Sequence, residues 1–104
     1  EEHALDVSIE PLFARDDRPT TAGLFAAIAK STGRGEPVIA DFAGRLNHWT
    51  VIRAVTQQSL LLFDSGGLFR VARRNCQLVK RRGSKRHLHS LSAHGILRVR
   101  CLWR

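Results

Sequence analysis

Short apolar stretches rich in strand-forming residues recur along the chain and predict β-strands. In residues 5–9 and 95–104 apolar and polar residues also alternate, as strand side chains that point to opposite faces require. The predicted strands cover residues 37–42, 48–55, 59–65, 68–72 and 95–104, and residues 5–9 form a further short strand or an extended arm. In the last strand an apolar set, Leu97, Val99, Cys101 and Trp103, shares one face and leaves Arg98 and Arg100 on the other. We expect that strand to have one dry and one solvated side.

One segment, residues 21–32, has a helical period. Leu24 and Ile28 fall on the same helix face, Thr20 or Thr21 can cap the start, and the glycines that follow can end it. Residues 73–90 show no clear period, and we expect an irregular basic excursion there. The sequence therefore predicts one α+β domain over residues 1–104, with an N-terminal helix followed by an antiparallel sheet of about five strands.

Hydrophobic residues make up 43% of the chain and charged residues 25%, which is typical of a globular domain. No apolar run approaches the length of a membrane span, so we expect none. The chain starts at Glu1 and contains no methionine, and we interpret it as a trimmed chain or a fragment. A targeting segment could have been lost, so the localisation stays unknown. The two isolated cysteines favour a reducing compartment such as the cytoplasm.

The formal charge of +8 is unevenly distributed. Residues 1–64 contain nine acidic and six basic residues, whereas residues 65–104 contain eleven Lys or Arg and no carboxylate. The densest part runs from Arg70 to Arg86. It could contact nucleic acid, an anionic membrane or an acidic protein surface; alternatively, it is a solvated loop with the outer faces of strands.

A histidine and an aspartate stand at the open end of the predicted hairpin. If residues 56–58 form a three-residue loop, Asp64 lies opposite Thr50 and His48 becomes its diagonal neighbour on the same face. A carboxylate in that position can fix the tautomer and orientation of the imidazole, which then accepts a proton from a nucleophile. The alternative is structural: a histidine at a strand end and an aspartate that caps the turn before Gly66-Gly67.

The runs GEPVIADF (35–42), NHWTVIRAV (47–55) and LLLFDSGGLFRV (60–71) resemble the C-terminal half of papain-like cysteine peptidases of the bacteriocin-processing type, which cleave double-glycine leaders. The resemblance covers residues 21–72. It implies a papain-like topology, with His48 as general base and Asp64 as its orienting partner. It also implies that this chain is the C-terminal part of a larger domain that acts on a peptide or protein.

The chain departs from that family in its nucleophile. The family places a cysteine on a helix upstream of the histidine, with a glutamine before it, and neither residue type precedes His48 here. Cys76 and Cys101 follow the histidine, in the wrong chain order. We therefore expect the cysteine in an upstream segment or a second chain, and no activity from these residues alone. The alternative is a degenerate, non-catalytic module that binds peptide or protein segments.

A metal site is a further alternative. His87, His89 and His94, with Cys101 further on, provide ligand types that zinc uses, but the neighbouring KRRGSKR run repels a cation. The glycine pairs match neither a P-loop nor a dinucleotide fingerprint, and we expect no cofactor.

Overall fold

The computed structural model describes residues 5–44, 48–63, 67, 69–78 and 89–103, with the backbone alone for residues 5, 44 and 101–103. Its elements, in chain order, are β1 (Leu5–Pro11), α1 (Thr21–Gly33), β2 (Val38–Gly44), β3 (His48–Val55), β4 (Ser59–Phe63), β5 (Arg70–Ala72), β6 (Cys76–Leu78) and β7 (His89–Trp103), with a 3-10 turn at Arg73–Asn75. The described part of the chain is α+β, as the sequence predicts.

The strands form one sheet in the order β1-β7-β2-β3-β4-β5, with β6 also paired to β7. Every described pair is antiparallel except the parallel pair of β6 and β7. Two details of the predicted fold class are wrong. The helix is not N-terminal, because β1 precedes it and pairs along its whole length with β7. The sheet has seven described strands rather than about five, since β1 and β6 both join it.

Helix α1 covers one face of the sheet and packs on β2, β3 and β6. It begins where the Thr20 hydroxyl accepts a hydrogen bond from the Gly23 amide at 3.0 Å, an N-cap that satisfies one of the free amides of the first turn. Near its end the buried Ser31 hydroxyl donates to the Glu36 carbonyl at 3.0 Å, which ties the helix to the start of β2. Gly35 makes that turn with φ +79°, a conformation that glycine adopts without a steric penalty.

The core lies between α1 and this covered face. Its buried side chains are Leu24, Phe25, Ile28, Val38, Ala40, Phe42, Ile52, Leu60, Leu62, Val71, Cys76, Leu78, Leu91 and Ile96. On β2, β3 and β4 the buried residues follow every second position, as a strand with one covered face requires. Apolar residues such as Ile39, Val51 and Leu61 also lie on the opposite face of these strands, so the sequence pattern alone does not mark their buried side.

The hairpin of β3 and β4 closes on Thr56. Its amide donates to the Ser59 carbonyl at 2.8 Å, and its hydroxyl accepts from the Ser59 amide at 2.9 Å. The register then shifts by one residue at Arg53, which is bulged out between the pairs Ile52–Leu62 and Ala54–Leu61. Because a bulge adds a residue to one strand only, it restores the pairing expected further along the hairpin.

The prediction of an irregular segment over residues 73–90 is wrong in part. Residues 76–78 form β6, and β7 starts at His89 instead of residue 95. A large bulge explains the missed length of β7. Leu91 pairs with Phe42 and Ile96 with Ala40, so four residues of β7 lie opposite Asp41 alone and break the two-residue period. Residues 79–88 lie outside the described part.

Charged side chains occupy the α1 side of the sheet where β1 meets β7. Arg98 donates from two nitrogens to Glu10 Oε2, at 2.8 and 3.0 Å, and Arg100 Nε lies 3.0 Å from Glu36 Oε2. The hydrogen bond from Arg98 is the main reason that the pKa of Glu10 is lowered. The polar side predicted for the last strand therefore carries ion pairs.

Among the described residues, no helix combines the length and the apolar character needed to cross a membrane.

Candidate functional site

His48 is the first residue of β3, at the end of the sheet away from the hairpin turn. It pairs with Phe42 on β2, whose side chain is fully buried, and shares its face with the buried Thr50 and Ile52. The histidine itself is half-buried. It therefore lies at the margin of the face that α1 covers, a position that shields an imidazole from water on one side and leaves it accessible on the other.

The prediction that Asp64 lies beside His48 depends on how β4 pairs with β3, and the structure has the required pairing at the open end of the hairpin. Val51 pairs with Phe63, the last described residue of β4, and the Thr50 hydroxyl donates to the Phe63 carbonyl at 3.3 Å. Asp64 follows Phe63 in sequence and lies outside the described residues. The contact between the two proposed site residues thus stays a prediction, whereas the strand pairing on which it depends is present.

Cys76 cannot act as the nucleophile for His48 in the same chain. The two residues lie on β6 and β3, which are separated by β7 and β2, and three interstrand steps of about 4.8 Å place their backbones at least about 14 Å apart. The thiol is also buried, and burial raises its pKa to about 11. A thiol with that pKa has very little thiolate at neutral pH, so it is a poor nucleophile.

Cys101 lies on β7, where its backbone pairs with Val7 of β1. Its strand is two places from β3 in the sheet, and its side chain lies outside the described part. The described residues therefore give no support to either cysteine as a partner of His48.

The described residues do not form the proposed metal site: no three His, Cys, Asp or Glu side chains among them converge on one point. His89 is buried, and its ring packs edge-to-face with that of Phe42, at 6.0 Å between centroids. His94 is exposed, and its Nε2 lies 3.0 Å from the carbonyl oxygen of Arg15. His87 lies outside the described residues. His89 and His94, the two described histidines of this set, thus have different environments and different contacts.

The basic stretch from Arg70 to Arg86 is divided by the fold. Arg73 is structural, because it donates to the carbonyl oxygens of Thr56 and Gln57 and lies 4.6 Å from the centre of the Phe25 ring. Arg70 and Arg74 are exposed and line an open groove with residues 57–59 at the hairpin turn. The more basic part, residues 79–86, lies outside the described residues.

Sequence analysis missed this groove, because its two arginines are separated from residues 57–59 in the chain. The pairing of Ser59 with Ala72 brings the two segments together. The strand period relates only Arg70 and Ala72, because Arg74 lies in the 3-10 turn, and no local pattern in the sequence places Arg74 at the groove.

Protein-family models, curated proteins and solved structures offer no match to this chain. An interpretation of its function therefore depends on its own residues.

Proposed function

We propose that this chain is part of a papain-like cysteine-peptidase-like domain that binds, and in its complete form cleaves, a peptide segment. The reaction would be acyl transfer through a thioester. A cysteine from an upstream segment or a second chain attacks the peptide carbonyl, His48 accepts the thiol proton and passes it to the leaving amine, and Asp64 orients the ring. Peptide specificity would come from the surfaces on either side of His48.

The pairing of Val51 with Phe63 is the observation that carries this proposal. It supports the expected register at the open end of the hairpin, because a slip of one residue would turn Asp64 to the face opposite His48. The half-buried position of His48 beside Phe42 supports a second requirement, since partial exclusion of water strengthens a hydrogen bond between imidazole and carboxylate.

The tautomer of His48 tests the proposal directly. If Asp64 accepts from Nδ1–H, nitrogen-15 NMR of the neutral ring will show the proton on Nδ1 and an unprotonated Nε2. In Asp64→Asn the amide NH₂ can donate to Nδ1 instead, so we expect the proton to move to Nε2. Asp16→Asn, at an exposed carboxylate outside the sheet, is the matched control and should leave the His48 spectrum unchanged. Identical spectra for all three proteins would refute the His48–Asp64 pair.

The 104 residues alone are expected to hydrolyse peptides no faster than buffer, because Cys76 is buried and lies at least about 14 Å from His48. A fluorogenic peptide library provides the measurement. Turnover that disappears in both His48→Ala and Cys76→Ala would overturn this expectation and identify Cys76 as the nucleophile after all.

A non-catalytic binding module on the same fold is the second candidate. This candidate needs no thiol, and the burial and raised pKa of Cys76 leave no reactive thiol among the described side chains. The coding sequence upstream of Glu1 distinguishes the peptidase from the binding module. A codon for cysteine at the start of a predicted helix upstream of Glu1 favours the peptidase, and a reading frame that lacks such a cysteine favours the binding module.

A further inference from the structure

The sheet face opposite α1, here called the open face, is apolar. Val7 and Ile9 of β1 are 55% and 57% exposed, and Trp49 of β3 and Phe63 of β4 are 51% and 67% exposed. Leu97 and Val99 of β7 lie on the same face, between β1 and β3. Val99 pairs with Ile9 and Leu97 pairs with Ile39, and paired residues of neighbouring strands point to the same side of a sheet. No described element packs on this face.

The distribution of charge shows that the open face is not an ordinary solvated surface. An antiparallel sheet with a single covered side normally has its polar residues on the other side. Here β1 and β7 have the reverse arrangement, because the Glu10–Arg98 ion pair lies on the α1 side and the apolar residues point away from it. A contiguous exposed apolar surface of this kind is typical of a contact site for another macromolecule.

Three exposed arginines border the open face at its β5 end. The guanidinium carbon of Arg53 lies 5.4 Å from the centre of the Phe63 ring. Arg70 of β5 pairs with Leu61 of β4. Arg74 and Arg70 both line the groove at the hairpin turn, with residues 57–59. No carboxylate of the described residues lies within ion-pair distance of these three side chains. As far as the described residues show, the border is therefore cationic and has no carboxylate partner.

We propose that the open face binds an amphipathic helix of a protein partner whose carboxylates, at one end, pair with Arg53, Arg70 and Arg74. An apolar sheet face is buried when another element packs on it, as α1 does on the opposite face of this sheet. The face spans six strands, or about 24 Å across the sheet, and a helix of about 16 residues has that length. Charge complementarity selects an acidic helix.

A second copy of the chain fits less well. Facing copies would place opposite the arginines either the same arginines or the aliphatic half formed by β1 and β7. Among the described strand residues, Asp41 is the sole carboxylate on the open face, since Asp6 and Glu10 lie on the α1 side. Single-stranded nucleic acid would use Trp49, Phe63 and the arginines, but it has no use for the aliphatic half. An acidic amphipathic helix accounts for both halves.

Two synthetic peptides test the proposal by isothermal titration. Both are 18-residue helices with one leucine stripe; one has glutamates at one end, and the other has lysines at those positions. We expect the glutamate peptide to bind at least tenfold more tightly. Arg70→Glu should reduce its affinity at least fivefold and improve that of the lysine peptide. Lys30→Glu, an equal charge change on exposed α1, should alter neither.

Further measurements distinguish an acidic helix from the other possible occupants, which are a second copy of the chain and single-stranded nucleic acid. Phe63→Ser should weaken both peptides, because it removes an apolar anchor without changing charge. Equal binding of the two peptides by the wild-type chain would overturn the proposal. So would dimers at micromolar concentration in sedimentation that dissociate in Phe63→Ser, which would assign the face to a second copy. Oligothymidylate bound more tightly than the glutamate peptide, with binding lost in Arg70→Glu, would assign it to nucleic acid.

Discussion

The Cys76 thiol lies on the covered side of the sheet, 3.5 Å from the Ala72 carbonyl, where a charged sulfur would lose its hydration. Burial therefore raises the pKa of Cys76 from 9.0 to about 11. The folded state holds this proton more tightly than the unfolded state, so its contribution to stability is complete below pH 9.0 and is lost as the pH rises towards 11. The direction of this change in stability with pH follows from the raised pKa of Cys76.

We predict that the free energy of unfolding falls by about 2–3 kcal/mol more in the wild type than in Cys76→Ala between about pH 8 and about pH 11. The difference between the two proteins isolates this thiol, since every other group is the same in both. Urea unfolding followed by circular dichroism gives the measurement. If the two proteins lose stability in parallel, Cys76 ionises equally in the folded and unfolded states and its burial does not restrain it.

At the scale of elements, the sequence predicts well what depends on neighbouring residues. The sequence predicts the helix over residues 21–32, and the structure has it at Thr21–Gly33. The signals are local: a threonine cap and two apolar residues four positions apart on one helix face. The strands of the hairpin also begin where the pattern places them. What the pattern could not supply is the bulge at Arg53, since register shifts depend on how two strands meet.

Elements that depend on distant partners were missed for the same reason. β6 has three residues and no period of its own; it exists because Cys76, Gln77 and Leu78 pair with residues 89–91 of β7. The first half of β7 was hidden by the bulge between Leu91 and Ile96, where Gly95 comes so close to Asp41 that an added Cβ would lie 3.2 Å from the Asp41 Cβ. A search for uninterrupted alternation passes over such a strand.

At the scale of the whole molecule, the sequence indicates that a strand has two faces but not which one is covered. Leu97 and Val99 were correctly placed together, yet they point away from α1, whereas Arg98 lies on its side. The same limit applies to the prediction of the candidate site. The strand that begins at His48 could be predicted from the sequence, but the pairing of His48 with Phe42 and its distance from Cys76 depend on the order of strands in the sheet.

A pair of matched substitutions tests this arrangement of layers. Ile9 on the open face is 57% exposed and Ile96 on the covered face is fully buried, and both lie on strands. Ile→Thr keeps the β-branched shape, so strand propensity changes little at either site. We predict that Ile9→Thr changes the free energy of unfolding by less than about 0.5 kcal/mol. Ile96→Thr should cost about 2–4 kcal/mol, because it removes buried apolar surface and buries a hydroxyl.

Chemical denaturation of the two variants under the same conditions gives both values. Similar large losses would mean that Ile9 is buried within the chain itself, and the open face would then be unavailable to a partner helix. Similar small losses would contradict the core between α1 and the sheet, because a fully buried isoleucine cannot be replaced by threonine without the loss of its apolar contacts. A large cost at Ile96 with a small cost at Ile9 is the result that one helix layer on one side of the sheet requires.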